Sequence, residues 1–250
     1  MAGHSQFANI KHRKGAQDAK RSKLFTKIAR EIIIATQLGQ PDPNFNARLR
    51  NAIAAAKKAG LPKDRIENSI KKGSGELAGE SYVELKYEGY GPGGIALIIE
   101  VQTDNRNRTA SDVRSLLTKA NGSLGESGSV GFMFEKVGQV SFPAAIAGGE
   151  AMFEAALEAG ASNCESGSEF HEITCEAADL NAVKEALMAK FGEPEEAKLV
   201  WKPKDPMVVD DQTKAQAILD LIESLEDLDD VQAVYANMVI DAEIAKNLSS

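Results

Sequence analysis

The chain has 250 residues, 43% of them hydrophobic, a formal net charge of -8 and two cysteines. That much apolar material can bury a real core in one large domain or two to three small ones, which argues against disorder as a whole. Two cysteines argue against a disulfide framework and fit a reducing compartment. The longest apolar runs, such as residues 95–99, fall far short of the roughly 18 residues that suggest a membrane span. No apolar stretch follows the basic start, so no secretory signal is expected, and the chain reads as soluble and cytoplasmic.

Charge is unevenly distributed. Residues 3–30, GHSQFANIKHRKGAQDAKRSKLFTKIAR, hold eight Lys or Arg and one acid, Asp18. Residues 1–75 carry a net +11 and the remaining 175 residues a net -19. Such asymmetry points to a polyanion-binding module joined to acidic, solubilising domains, set against the plainer reading of ordinary solvated helix faces.

In chain order, the first 16 residues show little periodicity and are expected to be a mobile arm when unbound. A helix is predicted from about residue 16 or 18 to Leu38, closed by Gly39 with Pro41 and Pro43 beyond. On it Lys20, Lys23, Lys27 and Arg30 form one basic stripe, while Leu24, Phe25, Ile28, Ile32 and Ala35 gather on another face. NARLRNAIAAAKKAG and KDRIENSIKKG predict two further helices ending at Gly60 and Gly73, so the three make a small bundle. GSGELAGES reads as a flexible linker. The period then shifts toward two: YVELKY and IALIIEVQT are predicted strands joined by the glycine-rich turn EGYGPGG. Thr109 is the expected N-cap of the helix ASDVRSLLTKA, with Asp112 as its capping-box partner, and VGFMFEK is a further strand.

From about Val137 the predicted order is βαββαβ: GQVSF, EAMFEAALEAG, ASNCESG, FHEITCEA, LNAVKEALMAKF and AKLVWK, a complete split-βαβ unit. TKAQAILDLIESLEDL is a last major helix and VQAVYANMVI a last strand. Residues 80–136 lack a second helix and a closing strand, and the C-terminal part supplies both. The expected fold is therefore α+β: a basic three-helix domain with its arm (1–79), a discontinuous α+β domain (80–136 with 206–250), and an inserted βαββαβ domain (137–205), both α+β domains being ferredoxin-like.

Taken together, GHSQFANIKHRK, AQDAKRSKLFTKIARE, YEGYGPGG, TDNRNRT, LGESGSVGFMF and DLDDVQAVYAN, in this order along nearly the whole chain, resemble the YebC/PmpR family of bacterial regulatory proteins, to which mitochondrial translational activators are related. The chain departs from that pattern at Gln6-Phe7, where family members usually carry Lys-Trp, with loss of a charge and an indole donor. The resemblance implies a three-domain architecture and nucleic-acid binding, either as a DNA-binding regulator of transcription or as a ribosome-associated factor that binds rRNA and relieves stalling of translation. Its motif in the arm covers Gly3, His4, Ser5, Asn9, Lys11, His12, Arg13, Lys14, Asp18, Lys20 and Arg21.

The expected nucleic-acid-binding residues are those of the arm apart from Asp18, continued by Lys23, Lys27 and Arg30. Lys and Arg on flexible stems neutralise phosphates with little sequence information. His4 and His12 either contact bases or are solvated. Phe7 either stacks on an exposed base or serves as a buried hydrophobic staple. Arg106, Arg108 and Arg114, around a helix N-terminus, are secondary anion-binding candidates. EGYGPGG lacks the Gly-Lys-Ser/Thr ending of a nucleotide-binding loop and reads as a hairpin. Three histidines and no Cys/His metal spacing or nucleophile motif give no enzyme, metal or cofactor. The acidic residues Glu223, Glu226, Asp227, Asp229 and Asp230 read as a solvated helix end, and Cys164 and Cys175 as free thiols. Transcriptional control of DNA leads, ribosome association follows, and a protein-interaction scaffold whose basic face pairs with an acidic partner is the third reading; the acidic domains offer a further surface to protein partners. Oligomeric state is left open.

Overall fold

A computed structural model describes residues 17–248, the side chains of residues 17–20 and 242 excepted. The arm through residue 16, and with it Gly3, His4, Ser5, Asn9, Lys11, His12, Arg13 and Lys14, lies outside the described residues, as does the side chain of Lys20.

Three helices come first: α1 (Gln17–Leu38), α2 (Ala47–Ala59) and α3 (Lys63–Ser74). Asn46 caps α2, its side chain accepting from the Leu49 N–H, and its amide donates back to the Ala35 and Gln40 carbonyls. One side chain thus starts α2 and fixes the turn out of α1. Gly60 and Gly75 end α2 and α3 in the left-handed region, with φ of 78° and 82°, so α3 runs past the expected stop at Gly73. The bundle core joins Ile32, Ala35, Leu49, Ala52, Ala56, Leu61 and Ile66. Fully burying a side chain such as Ile32 or Leu49 contributes roughly 1.5–3 kcal/mol. Leu24, expected on the packing face, is half exposed.

Strands β1 (Val83–Tyr90) and β2 (Ala96–Thr103) form a hairpin, with Val83 opposite Thr103 and Tyr90 opposite Ala96. β1 includes the Glu88-Gly89-Tyr90 expected in the turn, so the reversal falls to Gly91–Ile95, where Gly93 and Gly94 take φ of 71° and 78°. Next come α4 (Arg106–Lys119) and the short β3 (Ser123–Leu124). A single strand, β4 (Phe134–Pro143), runs without a break through what reads in sequence as two strands. It is followed by α5 (Gly149–Glu158), β5 (Asn163–Ser166), β6 (Phe170–Glu176), α6 (Leu180–Phe191) and β7 (Glu196–Pro203). The chain ends with β8 (Met207–Val209), α7 (Gln212–Glu226), β9 (Val231–Ala236), β10 (Met238–Ile240) and α8 (Ala242–Leu248).

Two four-stranded antiparallel sheets result. The first, in the order β3-β1-β2-β9, takes β9 from the C-terminal part of the chain. α4 and α7 cover it, and its core joins Ile95, Leu97 and Ile99 to Ile218, Leu221 and Leu225. The tight hairpin forces β1 and β2 to be neighbours. The second, in the order β5-β6-β4-β7, has the βαββαβ connectivity, with α5 and α6 over Val140, Phe142 and Ile173. The other face of β2 packs Ala96 and Ile98 against Phe134, Val137, Val200 and Tyr235, joining the two sheets back to back. The last predicted strand is divided at Asn237, which is fully buried. Its side-chain carbonyl accepts from the Ala96 N–H at 2.8 Å, and beyond it β10 turns to pair in parallel with β8.

Candidate nucleic-acid interface

The basic stripe of α1 starts from helical spacing: Lys23, Lys27 and Arg30 follow one another at four and three residues, so they share a face. That face does not look outward. Lys23 pairs with Asp227 at 2.9 Å, and the Lys27 ammonium donates to the Glu226 carbonyl at 2.8 Å. Arg30 is only 8% exposed; one nitrogen, Nη1, lies 3.1 Å from the Asp230 carboxylate and donates to the carbonyls of Asp229 and Gln102. Its guanidinium stacks on the Tyr82 ring, 4.8 Å from the centroid. The expectation that these three cations face a polyanion is therefore corrected: they face the protein's own acidic segment at the end of α7. The physical reason is complementarity, since the carbonyls ending a helix and the acids beside them draw cations.

Asp230 is the centre of this contact. One oxygen faces Arg30, and the other accepts from Thr103, Thr109 and Arg108 at 3.0, 2.6 and 2.8 Å. Burial pushes its carboxyl up, but hydrogen bonds from Arg108, Thr109 and Thr103 and the charge of Arg30 more than offset this and hold it below the usual range. The acidic end is thus a buried anchor at Asp230 rather than a wholly solvated cluster. Among the described residues no group of three or more His, Cys, Asp or Glu could hold a metal ion.

The secondary candidates divide. Arg108 is held by Asp104 and Asp230 at 2.7 and 2.8 Å, whereas Arg106 and Arg114 are exposed on α4. That helix starts one turn earlier than expected: Asn105, not Thr109, is the N-cap, accepting from the Arg108 N–H, and Thr109 is buried against Asp230. Because Asn105 starts the helix, Thr109 lies inside its first turn, its own N–H donating to the Asn105 carbonyl, and its hydroxyl is left to donate to Asp230.

Of the remaining cations on the helical domain, Arg21 stacks on Phe25 at 5.3 Å. Arg48 ties α2 to α1 and to β1, its Nε 2.6 Å from Glu31 and its Nη2 2.5 Å from Glu84. Lys58 reaches Glu195, the residue before β7 of the second sheet. Lys57, Arg65, Lys71 and Lys72 are exposed and have no acidic partner among the described residues. Sequence reasoning did not single out these four; their signal was the plain excess of basic over acidic residues in α2 and α3. A cleft of about 2830 Å³ between the bundle and the sheets carries both signs of charge, Arg48 and Lys198 beside Glu84 and Glu172, and suits an anion poorly. His171 is a satisfied core residue, Nδ1 on the Ser166 hydroxyl at 2.7 Å and Nε2 on the Ala147 carbonyl at 2.9 Å.

The fold and these contacts define a basic helical domain latched by its longest helix onto a body of two antiparallel α+β sheets. Family models match almost the whole described chain: the TACO1/YebC protein N-terminal domain over residues 5–76 and the TACO1/YebC second and third domain over residues 82–238. The chain belongs to the TACO1/YebC family. It is similar to a solved structure, that of a conserved hypothetical protein, Aq1575, from Aquifex aeolicus. The two share 48% identity over 94% of this chain and 97% of that one, with a TM-score of 0.87. No helix among the described residues is long and apolar enough to cross a membrane.

Proposed function

We propose that this chain is a non-enzymatic, nucleic-acid-binding regulatory protein that works through phosphate contacts of its N-terminal domain. The observation that carries the reading is the segregation of charge, a net +11 in residues 1–75 against -19 in the rest. Residues 1–79 form the contact in this reading. The units 80–136 with 206–250, and 137–205, form an acidic body that repels non-specific polyanion and offers a surface to protein partners. Gly3, His4, Ser5, Asn9, Lys11, His12, Arg13, Lys14, Lys20 and Arg21 remain the proposed contacts. Arg106 and Arg114 supply a secondary one.

Regulation of transcription through DNA is supported by the transcription-regulator label of the family model matched by residues 82–238. One observation favours the second reading, binding to rRNA in the ribosome. The helix that would serve as a major-groove reader, α1, has its basic stripe engaged with Asp227, Glu226 and Asp230. What is left is a set of phosphate contacts, which position a protein on nucleic acid without reading sequence.

Binding of the full chain, and of a chain lacking residues 1–16, to duplex DNA and to large ribosomal subunits over a salt series tests this. Loss of Lys11, Arg13 and Lys14 is expected to reduce the log–log salt slope on duplex DNA by about 3. Unchanged slopes would remove the arm from the reading. An operator bound far more tightly than random duplex favours transcription; subunit binding that survives competing DNA favours the ribosome.

A further inference from the structure

A pocket of about 300 Å³ lies where α1, α3 and the segment leading into β1 meet. It falls at the small end of the range of ligand pockets. Its walls follow from helix periodicity. Arg65 and Lys72, seven residues apart, share the face of α3 that looks toward α1, with Asn68 between them, and α1 contributes Arg30. Tyr82 and Leu77 close the third side.

Three cations line this pocket, and no carboxylate does so among the described residues, in a chain of net charge -8. Arg65 and Lys72 have no acidic partner among the described residues. Arg30 is held by the acidic end of α7 through one nitrogen and by the Tyr82 ring. Its Nη1 is taken by Asp230 and the two carbonyls, while its Nε, buried, has no hydrogen-bond partner. A buried guanidinium N–H without an acceptor is costly, and three cations around one pocket without a carboxylate favour an anion there. The Tyr82 ring and Leu77 add apolar surface, and the Asn68 amide adds a donor and an acceptor.

We propose that this pocket binds a nucleotide, its phosphate held by Arg65 and Lys72 beside the positive charge of Arg30 and its organic part set against Leu77 and Tyr82. The nucleotide is either free or one unit of a single strand. The site does not depend on the arm, so its failure would leave the salt-slope test of the arm untouched.

Calorimetric titration of the full chain with AMP and with a single-stranded RNA heptamer tests it. The double variant Arg65→Ala/Lys72→Ala is compared with Lys119→Ala/Lys190→Ala, which removes the same charge from exposed positions on α4 and α6, away from the pocket and from the helical domain. The first pair is expected to weaken binding tenfold or more and the second less than twofold. A selective loss with AMP supports a free nucleotide, and one confined to the heptamer supports a strand unit. Equal effects of the two variants on both probes, or no effect of the first, would overturn the site.

Discussion

Arg30 places a permanently charged group where water scarcely reaches, so its worth depends on the partners that replace water. They are Asp230, two backbone carbonyls and the Tyr82 ring. Arg30→Ala is expected to cost about 3 kcal/mol in urea denaturation, near the low end for breaking a buried pair, because Arg108, Thr103 and Thr109 still serve Asp230. Lys23→Ala, which breaks an exposed pair with Asp227, is expected to cost less than about 1 kcal/mol. Equal losses would deny the difference in burial its role. Glu88 gives a pH signature. Burial alone would raise its carboxyl, but the Val130 N–H, Lys86 and the N–H groups of Gly128 and Gly131 outweigh it and bring it down to about 2. A depressed carboxylate contributes stability that is complete above its unfolded value of about 4.3 and is lost as pH falls toward 2. Glu88→Gln is therefore expected to cost about 2 kcal/mol at pH 7 and progressively less in titrations toward pH 2. A loss independent of pH would show that the charge is not what matters.

At the scale of elements, the approach of α1 to α3 is set by a missing side chain. A Cβ on Gly73 would lie 2.5 Å from the Ile33 carbonyl oxygen and 2.6 Å from the Thr36 Cβ. Gly73→Ala is expected to destabilise the bundle by about 1–3 kcal/mol, as overpacking does, despite the better helix propensity of Ala. A gain in melting temperature would contradict the close approach. The sequence suggested that Gly73 ends the helix, since a glycine late in a helix usually does so; the tertiary reason for it lies on α1 and leaves no mark in local spacing. The three helices themselves were legible from Asn46, Gly60, Pro62 and the apolar periods, because caps and burial are local to each segment. The starts and breaks decided at a distance were not. Thr109 was claimed by Asp230, more than a hundred residues away, and Asn237 by the Ala96 N–H. The same holds for the site: the excess of cations was plain in the sequence, but which of them the acidic end of α7 would occupy depended on how the chain returns to its first sheet.

For the molecule as a whole, the contact between α1 and the α7–β9 turn decides whether nucleic acid opens the domains or meets them closed. Opening breaks the bonds from Arg30 to Asp230 and to the carbonyls of Gln102 and Asp229, each worth about 1.5–3 kcal/mol because a charged group makes it, which together is a hundredfold or more in affinity at about 1.4 kcal/mol per tenfold. Exposed ion pairs contribute about 0–1 kcal/mol each, so trading Lys23, Lys27 and Arg30 from these partners to phosphates does not recover that cost. The domains are therefore expected to stay latched when a polyanion binds, the contact being made by the arm and the exposed cations of α2 and α3. Spin labels at Ala55→Cys on α2 and Glu185→Cys on α6, both exposed, in a chain with Cys164→Ser, report this separation by double electron–electron resonance. The distance distribution is expected to be the same with and without saturating duplex. Arg30→Ala in the same background is expected to broaden it, which establishes that the labels sense the latch. A shift of several ångströms on binding to the unaltered latch would mean that the α1 stripe is released to the nucleic acid after all. The acidic end of α7 would then be its intramolecular competitor.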